Sequence, residues 1–228
     1  MPVILNIETS TDVCSAAIAI NGKTHILHES QSPNSHTERL TLLIQACFDE
    51  ARIHMRDLDA IAISDGPGSY TSLRIGAATA KAMCYALDKP LIAVDSLTIL
   101  AYGVSASLLD KDDIIISMID ARRNEVYASV FGQNYEIIQS VAPVILDENP
   151  FAKYHDGRHI YICGNGGEKY CKQYADKHTQ MQHLSTSARY MEEVTLKAFE
   201  NSRFESVAYF TPDYIKSPNI TKSTKKLF

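Results

Sequence analysis

Gly66-Pro67-Gly68-Ser69-Tyr70-Thr71-Ser72-Leu73-Arg74-Ile75-Gly76 follows an apolar run, Ala60-Ile61-Ala62-Ile63-Ser64, and opens a long segment of small residues. The order reads as strand, tight turn, helix. Two glycines around a proline give a turn that no side chain obstructs, and Ser69 or Thr71 can cap the free amides of the helix that follows. Such amides at a helix N-terminus make an anion-compatible loop, able to receive a phosphate or carboxylate. The stretch lacks the Lys-Ser/Thr ending of the P-loop and the spacing of the dinucleotide fingerprint. A structural turn that packs a helix on a sheet therefore stands beside the anion-binding reading.

Upstream, Val3 to Ile7 and Val13 to Ile20 read as apolar strands around the polar turn Glu8-Thr9-Ser10-Thr11-Asp12. Asn21-Gly22 is a strong hairpin signal and leads to a third strand, Lys23 to Glu29. Ser35-His36-Thr37-Glu38 matches a capping box, with Leu40, Leu43, Ile44, Cys47, Phe48 and Ala51 at helical spacing, so a helix is expected from about 36 to 52. The helix after the glycine turn runs from about Thr71 to Leu87. Gly76, Ala80 and Cys84 fall four apart along it, a small stripe that suits sheet packing or a partner helix. Downstream, Leu91 to Val94 reads as a strand and about Ser96 to Leu108 as a helix.

Beyond the polar break Leu109 to Asp113 the habit repeats. Strands are expected at Ile114 to Ile119, Glu125 to Phe131, Glu136 to Ser140 and Ile160 to Cys163, then Gly164-Asn165-Gly166-Gly167 and helices at about 168 to 175 and 187 to 200. Each half reads as β-β-β-α-β-α. The expectation is an α/β protein of two lobes, residues 1–108 and 109–228, with duplicated mixed sheets facing a cleft.

The 228 residues are 45% hydrophobic and 21% charged, enough to bury one large core or two lobes. No run approaches the ~20 apolar residues of a membrane span, and Met1-Pro2-Val3 enters a strand without a basic leader, so a cytoplasmic protein is expected. Five cysteines at 14, 47, 84, 163 and 171 show no Cys-x-x-Cys spacing and read as buried thiols. A net charge of −5 argues against a general nucleic-acid binder, the basic cluster Lys216, Lys222, Lys225 and Lys226 being terminal.

Glu8, Asp65, Asp95 and Asp120 each follow an apolar strand, at the sheet edge where α/β proteins bind ligands. Converging carboxylates there would hold Mg²⁺ for a phosphotransferase, ATPase or nuclease. Acidic residues in that position also serve as helix caps. His155 and His159 have metal-pair spacing, but Asp156-Gly157 between them signals a turn rather than the helix such a pair needs. Ser69 lacks the flanking glycines of a nucleophile elbow.

The glycine stretch with Ala80-Lys81 resembles the signature of the TsaB (YeaZ) family of tRNA threonylcarbamoyladenosine synthesis. Ile7-Glu8-Thr9-Ser10-Thr11, His36 to Leu43, Asp120-Ala121-Arg122-Arg123-Asn124-Glu125-Val126-Tyr127, Gly164-Asn165-Gly166-Gly167 and Pro212-Asp213-Tyr214-Ile215-Lys216 are similar to further stretches of that family, in order. Tyr70 stands where the family usually has Phe, Ser72 where it has Gly, and Glu8 where Asp is common.

The resemblance implies an actin-like ATPase fold, ribonuclease H-like in each lobe and shared with Hsp70 and sugar kinases. It implies a non-catalytic subunit that binds TsaD, works with TsaE, forms a homodimer and meets tRNA only through the complex. The complex uses ATP and Mg²⁺, and this subunit needs no cofactor of its own. The related TsaD carries a His-Leu-Glu-Gly-His type motif that binds its metal. Here that segment is Ser96-Leu97-Thr98-Ile99-Leu100, with Ser96 and Leu100 at the ligand positions, so no metal and no catalytic residue is expected. An older glycoprotease-like reading of relatives finds neither a zinc pair nor a nucleophile with its base. By resemblance, His36, Arg39, Leu40, Leu43, Leu73, Gly76, Ala77 and Ala80 would form the partner interface. Glu8, Thr9, Ser10, Asp65, Gly66, Gly68, Asp120, Gly164 and Gly166 would line a vestigial nucleotide cleft.

Overall fold

The computed structural model describes residues 1–31 and 36–216. Ser35 and the lysines at 222, 225 and 226 lie outside the described residues. Val3–Glu8 (β1), Cys14–Ile20 (β2) and Lys23–Ser30 (β3) form an antiparallel meander, closed at Asn21-Gly22 with both residues at positive φ. His36–Ala51 (α1) crosses over to Ala60–Gly66 (β4), which runs parallel to β1, and Tyr70–Leu87 (α2) crosses to the parallel Leu91–Asp95 (β5). The sheet order is β3-β2-β1-β4-β5. Ser96–Gly103 (α3) leads to the second lobe.

There Ile114–Asp120 (β6), Glu125–Phe131 (β7), Ile137–Ile145 (β8), Ile160–Cys163 (β9) and Thr179–Gln182 (β10) stand in the order β10-β9-β6-β7-β8. Counted from β8, this is the plan of the first sheet: three antiparallel strands, then two parallel ones. Gly167–Tyr174 (α4) links β9 to β10, and Glu192–Glu200 (α5) follows a 3₁₀ turn at Ala188–Met191.

α1 and α2 cover one face of the first sheet, where Leu40, Ile44, Phe48, Ala77 and Ala80 meet Leu5, Ile7, Ile61 and Ile63. On the opposite face Ile99, Ala188, Met191 and Ala198 meet Ile4, Ala17, Ala62 and Ile92. α3 is buried on two sides, because Leu97, Leu100, Ala101 and Val104 also pack on Ile115, Ile119 and Phe131 of the second sheet. One apolar helix thus joins the two sheets, an attachment that resists the hinging expected of polar domain interfaces.

Five expectations need correction. The helix expected to reach Leu108 stops at Gly103, since Val104 is extended, and Ala106–Leu108 forms a separate 3₁₀ turn. The second lobe has no counterpart of α1: Asn149-Pro150 and Asp156-Gly157 put turn chemistry at both ends of that loop, leaving a 3₁₀ turn at Ala152–Tyr154. β8 continues past Ser140 to Ile145, and the polar edge strand β10 carries too weak an apolar pattern to be read. Finally, residues 188–210, expected in the second lobe, pack on the first sheet, with Phe210 in its core and Glu205 bridged to Leu91.

Candidate functional site

Each carboxylate of the cleft follows its strand, but they do not meet as a set. Glu8, at the end of β1, is fully buried. Its Oε1 accepts from the Ser10 amide at 2.7 Å and its Oε2 from the Thr186 hydroxyl at 2.6 Å. Burial raises its pKa against the pull of those donors, led by Ser10. Thr186 also exchanges a hydrogen bond with Thr11 at 2.7 Å, so Glu8 belongs to a polar network whose two threonines border a cavity between the lobes.

Asp65 and Asp95, at the ends of β4 and β5, form a second group with Asp213 and Glu205. Burial, then the charges of Asp95, Asp213 and Glu205, push Asp65 up to about 7. Asp95 rises to about 6 by burial while it caps α3, accepting from the Thr98 amide at 2.8 Å. The Asp213 amide donates to the Asp65 carbonyl at 2.7 Å, and a Cβ on Gly66 would lie 2.2 Å from the Asp213 carbonyl oxygen. The segment from Glu205 to Lys216 is thereby laid over the glycine turn. Asp120 lies apart, exposed and paired with Lys169 at 2.6 Å.

The glycine loops are filled by the chain itself. The Ser69 amide donates to the Ser10 carbonyl at 2.7 Å, and a Cβ on Gly68 would stand 2.2 Å from that oxygen. Ser69 caps α2 with its own side chain, accepting from the Ser72 amide, so the amides read as an anion site have an internal partner. Gly164, at φ 90, passes so near β6 that a Cβ would lie 2.2 Å from the Met118 carbonyl oxygen, and the Gly166 amide donates to that carbonyl at 3.1 Å. That cavity, of about 70 Å³, is lined by Thr11, Asp12, Leu100, Ile119, Asn165 and Thr186 among others, with Asp12 the one charged group in its lining. It is well below the size of a ligand pocket, and its charge disfavours phosphate.

At the positions where a metal-binding helix would offer histidines, Ser96 is fully buried and Leu100 is 1% exposed in the core shared by the sheets. These residues do not fit a metal. His155 and His159 part at Gly157: His155 bonds Asp176 at 2.9 Å and the Tyr170 hydroxyl at 2.8 Å, while His159 lies beside Asp113. Cys14, Cys47, Cys84 and Cys163 are buried, and Cys171 is half-buried.

The proposed interface residues divide in a different way from the expected one. His36, Leu40, Leu73, Gly76, Ala77 and Ala80 are buried within the chain, Leu43 is half-buried, and Arg39 is exposed. A Cβ on Gly76 would lie 2.3 Å from Thr9 Oγ1 and 2.8 Å from Ile63 Cδ1, so the small stripe seats α2 on the sheet. The outward face carries a second small stripe, Ala78, Ala82 and Ala86, beside Tyr85 (86% exposed) on α2, and Leu42 is exposed (61%) on α1, which packs against α2. That stripe was legible in the same alanine-rich run, two positions further on.

The chain matches the family model described as TsaD: tRNA N6-adenosine threonylcarbamoyltransferase over residues 28–225. It is 27% identical over 225 residues to the tRNA threonylcarbamoyladenosine biosynthesis protein TsaB of Haemophilus influenzae, across 94% of this chain and 93% of that protein. YeaZ from Pseudomonas aeruginosa superposes with a TM-score of 0.80 at 25% identity, across 94% of this chain and 100% of that one. The activator of 2-hydroxyisocaproyl-CoA dehydratase from Clostridium difficile shares the two-lobed, actin-like fold at a TM-score of 0.54 and 8% identity, across 88% and 96% of the two chains. No helix among the described residues is long and apolar enough to cross a membrane.

Proposed function

The chain belongs to the TsaB (YeaZ) family, whose named members serve tRNA threonylcarbamoyladenosine biosynthesis, and from that premise we propose that it is a non-catalytic scaffold subunit of this process. It docks on TsaD and activates it, with TsaE in the same assembly, for transfer of threonylcarbamoyl to the adenosine next to the anticodon. The observation that carries this reading is α3. The helix where a metal-binding relative would place histidines carries instead Ser96, a fully buried hydroxyl, and Leu100, an alkyl group 1% exposed, neither of which makes a metal ligand. The alternative, a Mg-ATP-dependent phosphotransferase or ATPase of the same fold, would need carboxylates free to hold a cation. Glu8 is occupied by Ser10 and Thr186, Asp120 by Lys169 and Asp95 by the Thr98 amide, which leaves Asp65, half-buried beside Asp95, Asp213 and Glu205, as the one cleft carboxylate still to be tested.

The docking face in this reading is the outer side of α1 and α2. Alanines at i, i+4 and i+8 let a second helix approach to the short end of the ~8–10 Å range of interaxial distances, with Leu42 and Tyr85 as flanking anchors. Ala82→Arg places a charged, bulky side chain in the middle of that stripe while leaving the fold within about 0.5 kcal/mol of wild type. In size-exclusion chromatography with TsaD the variant is expected to elute separately, and the variant alone shows whether a second copy uses the same face. Co-elution with TsaD at wild-type strength would remove this surface from the account.

A further inference from the structure

Between β6 and β7 the chain turns through Ala121-Arg122-Arg123-Asn124. Arg122 at φ 70 and Arg123 at φ 50 are both left-handed. A hairpin needing two such residues ordinarily uses Asn-Gly, because a Cβ crowds the backbone in that region. The turn is held by main chain and by Asp120: its Oδ1 accepts from the Arg122 amide at 2.6 Å, and the Glu125 amide donates to the Arg122 carbonyl at 3.1 Å. The two guanidinium groups take no part. Both residues are exposed, and among the described residues neither side chain makes an ion pair or hydrogen bond.

The acids of the same turn already have partners. Asp120 is paired with Lys169, whose ammonium also donates to the Arg123 carbonyl at 2.8 Å, and Glu125 is paired with Lys216. Asp147 accepts from the Asn124 side chain of the turn at 3.0 Å, and Arg122 and Arg123, without an ion-pair partner among the described residues, stand side by side on this braced turn in a chain of net charge −5. The turn requires this left-handed backbone but not arginine side chains, which make it costlier than Asn or Gly would, the kind of local inconsistency that points to another use.

We propose that Arg122 and Arg123 contact the phosphate backbone of an RNA strand. Guanidinium forks match phosphate oxygens two at a time, and two adjacent ones on a short turn can span consecutive phosphates. The turn belongs to the second lobe, whereas α1 and α2 belong to the first, so one chain can hold a protein partner and an RNA at once. The proposal rests on the reading that the chain works in an assembly acting on tRNA.

The test uses the assembled complex with TsaD, titrated with fluorescently labelled tRNA at several salt concentrations, with the chain as wild type or as Arg122→Asn/Arg123→Gly. That variant supplies the residues the turn prefers, so its melting temperature is expected to equal or exceed wild type. Its complex should bind tRNA about tenfold more weakly at low salt, with the slope of log affinity against log salt smaller by about 2. Unchanged affinity and slope in an intact complex would overturn the RNA contact and leave the scaffold reading standing. So would loss of TsaD association by the folded variant, which would assign the arginines to a protein partner. A lower melting temperature would show that the arginines serve the fold, and also overturns the proposal. Failure of the wild-type chain to assemble with TsaD would remove the scaffold reading, and this inference with it.

Discussion

Asp65 sits at the end of β4 with Asp95, Asp213 and Glu205 in its field. Its pKa is pushed from 3.8 up to about 7, so the folded chain holds a proton that the unfolded chain has already released. The folded state is thus favoured below pH ~4, where both forms are protonated without penalty, and it loses stability as the pH rises through about 7. Asp65→Asn has no charge to desolvate. It should raise stability at pH 8 by on the order of 2 kcal/mol and change little at pH 4, read as melting temperature across that range. A variant that melts lower than wild type at pH 8 would mean that the charged carboxylate is needed. At this scale the sequence showed which acids end the strands. It could not show that Thr186 and Lys169 come from far along the chain to occupy Glu8 and Asp120, or that Asp213 comes to stand beside Asp65.

On α2 the periodicity was legible and the phase was not. Gly76, Ala80 and Cys84 form one small stripe and Ala78, Ala82 and Ala86 another, and alanine is small enough to face either a sheet or a partner. Only the packing of Gly76 against Thr9 and Ile63 decides between them. Gly76→Leu is therefore expected to destabilise the chain by about 3 kcal/mol, by overpacking. Urea melts read that loss, and the same melts on Ala82→Arg serve as the control for an outward position. A Gly76→Leu chain that melts as wild type but no longer meets TsaD would reverse the assignment of the two faces. The same ambiguity explains α3: an apolar segment buried on both sides has no polar face to reveal where it lies.

In the whole molecule, the two sheets were readable because each opens with three strands bounded by turn residues and then shows apolar runs ending in glycine loops. What escaped was non-local: the return of Ala188 to Phe210 to the first sheet, and α3 joining both cores. The C-terminal segment also spans the lobes, with Tyr214 against Tyr70 at 4.3 Å between ring centroids and Lys216 on Glu125. Two lobes joined by α3 and by this segment, with loops filled by Ser10 and Met118, are built to hold a shape. That is the property a scaffold needs, and it is the claim to test. The direct measurement is threonylcarbamoyl transfer to tRNA by TsaD, TsaE and the adenylate-forming enzyme, with this chain present as wild type, omitted, or carrying Glu8→Gln and Asp65→Asn together. The account predicts that transfer requires the chain and tolerates the double variant. Transfer that survives omission, or that is lost with a double variant still folded and docked on TsaD, would contradict it.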